Sequence, residues 1–195
     1  MTGIVPSGQG RLLTARGNVM AFKAVAAQTG GDFSLMERTV PPGARTPPRH
    51  RHVNCSEAFF VLDGTITFWL DEDSLTGGAG DFLLVPRGAG HTFGNRSPEP
   101  ARLLVLHAPA MDAYFAELDA LWAAGTPAPE AERELMSRYG MEPAGNVPSL
   151  KCHWPDVGCQ HGRYRISRGK PGPARDVPPG ADRVLLPHAG LGIRG

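Results

Sequence analysis

The chain of 195 residues is 41% hydrophobic and 20% charged, with a formal net charge of +1, which fits one globular domain plus an appendage better than two domains. Twenty Lys+Arg against 19 Asp+Glu exclude the basic excess that drives phosphate-backbone binding, and no stretch approaches the roughly 20 apolar residues that cross a bilayer. No nucleic-acid or membrane partner is therefore expected.

Cys55, Cys152 and Cys159 are too few and too unevenly spaced for a disulfide framework, and no basic start joins an apolar run near the N-terminus. A reduced, cytoplasmic protein is the expectation. With 25 Gly and 19 Pro, long helices are disfavoured and short elements joined by tight turns are favoured, so the expected class is all-β.

Residues 1–32 read as an N-terminal segment of edge strands. Phe33–Val40 is a strand ended by Pro41-Pro42-Gly43. Glu57–Leu62 stops at Asp63-Gly64, a strong hairpin signal, and Thr65–Leu70 resumes with Ile66, Phe68 and Leu70 on one face. Phe82–Val85 follows Gly80-Asp81, Pro86-Arg87-Gly88 turns the chain into His91–Phe93, and Arg102–His107 closes the series. Strands spaced by about ten residues point to a barrel or sandwich, and residues 33–107 are expected to form a closed antiparallel barrel.

Helical spacing begins afterwards. Met111, Tyr114, Phe115, Leu118 and Trp122 share one face of a helix over 110–124, and a second helix over 129–139 carries Leu135, Met136 and Tyr139, with Gly140 as its C′ residue. This extension, 108–140, is expected to cover the barrel's outer face or a subunit contact, which implies a homodimer. Residues 141–195 hold eight Pro, nine Gly, eight Lys/Arg and four Asp/Glu in 55 positions and are expected to be irregular or disordered, and dispensable. Cys152, His153, Cys159 and His161 cluster there, but Cys-x6-Cys matches no usual zinc spacing.

The chemistry gathers elsewhere. His50 and His52 are two apart, so an extended strand projects both imidazoles to one side, where two nitrogens can share a metal. Glu57 follows across a short turn, and His91 comes from a separate strand. Three imidazoles and one carboxylate suit a first-row divalent ion with positions left open. Parity then turns Phe59 and Val61 inward with Glu57, and Phe93 with His91, opposite Phe68. That aromatic and aliphatic lining suits a hydrophobic or aromatic small molecule. Met36, Arg38 and His107 are further wall positions. Arg49 and Arg51 are expected to be solvated, and Cys55 to point away.

These residues sit in an arrangement that resembles the two motifs of the cupin superfamily. Gly43, His50, His52, Glu57 and Gly64 match the first, with six rather than five residues after Gly43; Gly80, Pro86, Gly88, His91 and Asn95 match the second at every position. The short separation of Gly64 and Gly80 and the helical extension resemble bacterial single-domain cupins of type 2 related to quercetin dioxygenases. The resemblance implies a jelly-roll double-stranded β-barrel and one ion of Fe, Mn, Ni, Co, Cu or Zn on His50, His52, Glu57 and His91. It also implies a metal-dependent oxygenase acting on a phenolic or enolic small molecule, with Glu57 serving as both ligand and base. A non-redox cyclase or isomerase, and a ligand-binding module without turnover, are the alternatives.

Overall fold

The computed structural model describes residues 3–145. The expectations for residues 146–195, including the Cys152–His161 cluster and the order of the tail, lie outside the described residues.

The strands in chain order are β1 (Arg11–Ala15), β2 (Asn18–Ala24), β3 (Ser34–Val40), β4 (His50–His52), β5 (Ser56–Asp63), β6 (Thr65–Leu70), β7 (Asp73–Gly78), β8 (Phe82–Val85), β9 (His91–Gly94), β10 (Ala101–Ala108) and β11 (Met141–Pro143). A short turn of helix, α1 (Ala26–Thr29), precedes β3, and α2 (Asp112–Ala123) and α3 (Pro129–Arg138) follow β10. The strands make two antiparallel sheets, β1-β2-β3-β10-β5-β8 and β11-β4-β9-β6-β7. This is the expected jelly roll, with one correction. Among the described residues no ladder joins the sheets, so the molecule is a sandwich of facing sheets and not a hydrogen-bonded closed barrel.

Alternation sets the inner face. Along β10, Ala101, Leu103, Val105 and His107 are buried while the residues between them are half-buried, the period-two signature of a strand with one face on the core. Phe59 and Val61 of β5 meet Ile66, Phe68 and Leu70 of β6 and Phe93 of β9 in the same core.

Asp63-Gly64 is not a hairpin turn. β5 pairs with β10 and β8, whereas β6 pairs with β7 and β9. The two residues turn a corner from one sheet to the other, and the hairpin partner of β6 is β7, which the sequence reading passed over. Gly64 has φ +73°, and a Cβ there would lie 2.6 Å from the Pro100 carbonyl oxygen, so the corner requires a residue without one.

The extension packs against this chain's own sheet, the first of the two placements expected of it. Tyr114, Phe115 and Leu118 of α2 are buried within this chain. The rings of Phe115 and Phe22 lie 5.8 Å apart, and Thr14 N–H donates to Asp119 Oδ1 at 2.6 Å. α2 therefore packs Tyr114, Phe115 and Leu118 inside this chain, with Leu121 and Trp122 partly buried. α3 is tied down by the Arg16–Glu132 ion pair, both side chains buried. After Gly140, with φ +68°, the chain returns as β11 along β4, so residues 141–143 belong to the sandwich and not to an irregular tail.

Candidate metal centre

The site is built where β4, β5, β9 and β10 end together. Register places His50 opposite His91 and Glu57 opposite His107, so strand pairing alone brings four titratable side chains to one end of the core. His50, His52, Glu57, His91 and His107 are all buried. The donor atoms of His50, His52, Glu57 and His91 lie within 4.8 Å of one another, so movements of a few tenths of an ångström let all four reach one ion through bonds of roughly 2.0–2.2 Å.

Their protonation supports that use. His50 Nδ1 lies 2.8 Å from the Pro48 carbonyl oxygen, and His91 Nδ1 lies 3.1 Å from that of Ala89. A carbonyl oxygen only accepts, so both Nδ1 atoms carry the proton and both Nε2 lone pairs face inward. His91 Nε2 then meets Glu57 Oε2 at 2.8 Å, and His52 Nε2 lies 3.3 Å from both His50 Nε2 and Glu57 Oε2. Lone pairs this close repel one another unless a cation stands between them. Burial, then the neighbouring imidazoles, hold His50 well below its usual range, and burial also lowers His52, which keeps both rings neutral as metal ligands need. The donor set fits a divalent metal ion.

Glu57 is the pivot. Burial pushes its carboxyl up, but His107 beside it more than reverses this and holds it well below the usual carboxylate range. His107 Nε2 lies 3.0 Å from Oε1. One carboxylate oxygen is thereby anchored and the other turned to the donors. An ionised Glu57 is a good ligand.

Beside the cluster is a cavity of about 20 Å³, room for one water-sized species. Arg38, Phe93 and His107, all expected near the site, line it together with His50, His52 and Glu57; Arg16, Tyr114, Phe115 and Met141, for which the sequence holds no site signal, line it too. Phe59, Val61 and Phe68, expected in the pocket, lie deeper: the Phe59 ring centroid is 5.1 Å from those of both Phe68 and Phe93. Met36 is buried in the core. Cys55 is buried, and burial first, the Glu57 charge second, push its thiol up to about 12, which leaves no thiolate to ligate or crosslink. Arg51 pairs with Glu142 at the surface, whereas Arg49, expected in solvent, donates to the Asp71 carbonyl.

Residues 36–107 match the family model of the cupin domain. That segment is a cupin domain. This cupin is 36% identical over 93 residues to quercetin 2,3-dioxygenase of Bacillus subtilis, a match covering 46% of this chain and 26% of that protein. The chain thus spans about a quarter of that relative's length. KdgF from Halomonas sp. shares the fold, with a TM-score of 0.50 and 15% identity over 58% of this cupin and 98% of that chain. The cupin domain of Schizosaccharomyces pombe Cnp3 is 21% identical over 51% of this chain and 68% of that one, with a TM-score of 0.45.

The residues that were missed share a cause. Arg16 comes from the β1–β2 turn, Tyr114 and Phe115 from α2 and Met141 from β11, so each reaches the cavity only through tertiary packing. The buried i, i+3, i+4 face of α2 was the one available signal, and it says that a face packs, not what it packs on.

Proposed function

We propose that this cupin is a metal-dependent oxygenase acting on a phenolic or enolic small molecule, with one divalent transition-metal ion held by His50, His52, Glu57 and His91. The observation that carries the reading is the convergence of this donor set within residues 36–107, which match the cupin-domain family model, in a chain that is similar over 93 residues to a quercetin 2,3-dioxygenase. A bound redox-active ion would supply Lewis acidity and an open position for the substrate oxygen and for dioxygen. The protein's own residues supply the rest. The Nδ1–H bonds of His50 and His91 to backbone carbonyls fix the ring orientations. His107 fixes Glu57, and Phe93, Phe115 and Tyr114 wall off bulk water.

An aromatic ring exceeds 20 Å³, so only the reacting oxygen of such a substrate reaches the small cavity. Its bulk would occupy the neighbouring cavity of about 350 Å³, which shares Arg16 and Pro47 as a boundary. A second reading uses the same donor set: a non-redox cyclase or isomerase, in which the ion would polarise a carbonyl.

Oxygen-electrode measurements on a panel of phenols and enols, with metal content read in parallel, separate these readings. Oxygen uptake matching substrate loss is the expected result. Turnover without oxygen uptake would establish the non-redox reading, and binding without turnover would leave a ligand-binding module.

A further inference from the structure

Arg38 is the charged group at the centre that the proposed chemistry leaves unused. It lies on β3 with 2% exposure and lines the small cavity with the metal donors. Its Nε donates to Asn18 Oδ1 at 3.4 Å, and its guanidinium lies over the Phe93 ring, 4.8 Å from the centroid. Among the described residues no carboxylate stands within ion-pair distance of it. A buried charge without a partner is costly, and replacing such a group by an apolar one often stabilises a protein. A guanidinium kept in that condition beside a reaction centre has the properties of a ligand-binding group.

The charge balance points the same way. The cavity is lined by Arg16, Arg38 and Glu57, and Glu132 neutralises Arg16. These two cations and two anions cancel, so a divalent ion on His50, His52 and His91, with His107 alongside, leaves an excess of at least two positive charges in nearly dry surroundings. A neutral phenol would leave that excess in place; an anionic ligand reduces it. The route in is also cationic: Arg16, Arg45, Arg49 and Arg133 border the larger cavity, with Glu132 as the only carboxylate among its lining residues, an arrangement that draws anions inward.

We propose that the substrate is an organic acid whose carboxylate is the group that enters the small cavity, seated on Arg38 and facing the His50–His52–Glu57–His91 centre. This rests on the metal-centre reading above and is independent of whether the reaction consumes oxygen. Arg38 offers a planar fork that pairs with a carboxylate through two hydrogen bonds.

The test uses benzoate and its neutral analogue benzamide as probes, titrated by calorimetry into the full chain loaded with Zn²⁺, which is redox-inert. Elemental analysis first confirms loading. Benzoate is expected to bind roughly 10-fold or more tightly than benzamide, the scale of a charge-assisted pair, and Arg38→Met should abolish the preference. Without ligand, Arg38→Met should melt at the same temperature or higher, as a purely structural arginine would not. Should Arg38→Met fail to give soluble protein, Arg38→Lys, which keeps the charge and loses the fork, should weaken benzoate several-fold and leave benzamide unchanged.

Equal binding of the two probes by the wild type would overturn the proposal. A preference that survives Arg38→Met, or an equal loss of both probes in Arg38→Lys, would do the same. Poor zinc loading with the Arg38-dependent preference intact would sink the metal reading alone; full loading with no preference would sink this one alone.

Discussion

Glu57 and His107 act as a unit. His107 Nε2–H holds one carboxylate oxygen so that the other faces the three imidazoles, the kind of outer contact whose loss typically costs about 10–100-fold in metal affinity. His107→Phe keeps the ring's bulk against Phe115 and removes the donor, so chelator competition should show a fall on that scale with all four ligands present. Glu57→Gln should lose metal and activity together, because the ionised carboxylate serves as a donor. A variant that keeps its metal yet loses roughly 10²–10⁴-fold in turnover would show that Glu57 moves a proton after all. At this scale the sequence discloses which way a side chain points and not how deep it lies. Parity correctly turns Glu57, Phe59 and Val61 to one face, but only Glu57 reaches the end of the strand where the donors meet. Arg16, Tyr114, Phe115 and Met141 have no local signal at all, since tertiary packing alone brings them to the cavity.

Among the elements, the corner at Gly64 and the closing strand β11 carry the firmest predictions. Gly64→Ala must hold φ near +73° and clear the Pro100 carbonyl, which should lower stability by about 1–3 kcal/mol or more in thermal melts. Truncation after Gly145 should leave metal content unchanged. Truncation after Gly140 should not, because it strips β11 from β4 and removes Met141 from the cavity wall.

Glu37 on β3 binds Ser7, the Gly8 N–H, Lys23 and Arg102. Burial pushes its carboxyl up, but the Gly8 N–H, Arg102 and Lys23 overcome this and lower it from 4.5 to about 2. A carboxyl depressed on folding stabilises fully above its unfolded value and loses that contribution as pH falls through its folded value. Wild type should therefore weaken more steeply than Glu37→Gln between pH 4.5 and about 2, and identical acid limbs in urea titrations would show that the network contributes nothing. Strand positions were largely legible from alternation and turn residues, whereas pairing was not: Asp63-Gly64 has the chemistry of a hairpin turn and of a corner alike, and only the partners of β5 and β6 tell them apart.

For the whole molecule, the two motifs disclosed the superfamily because ligand spacing and turn glycines survive where the rest of a sequence drifts. They could not disclose that the sheets remain open to each other or that α2 folds back over the site. We propose that the expected homodimer forms through the outer face of β5 and the edge strand β8. There Phe82 is 60% exposed and Phe60 40%, an apolar edge of the kind that invites pairing with a second copy. Light scattering should give twice the chain mass, and Phe82→Lys should return the monomer; a monomeric wild type would contradict the assignment.

The central claim is that four side chains hold one metal ion, and elemental analysis of the full chain purified without added metal tests it most directly. About one equivalent of a first-row divalent ion per chain is expected, lost in His91→Ala and in His50→Ala. Protein that arrives metal-free and takes up no ion on dialysis against Mn²⁺, Fe²⁺, Ni²⁺ or Zn²⁺, or that keeps its ion in both alanine variants, would contradict it.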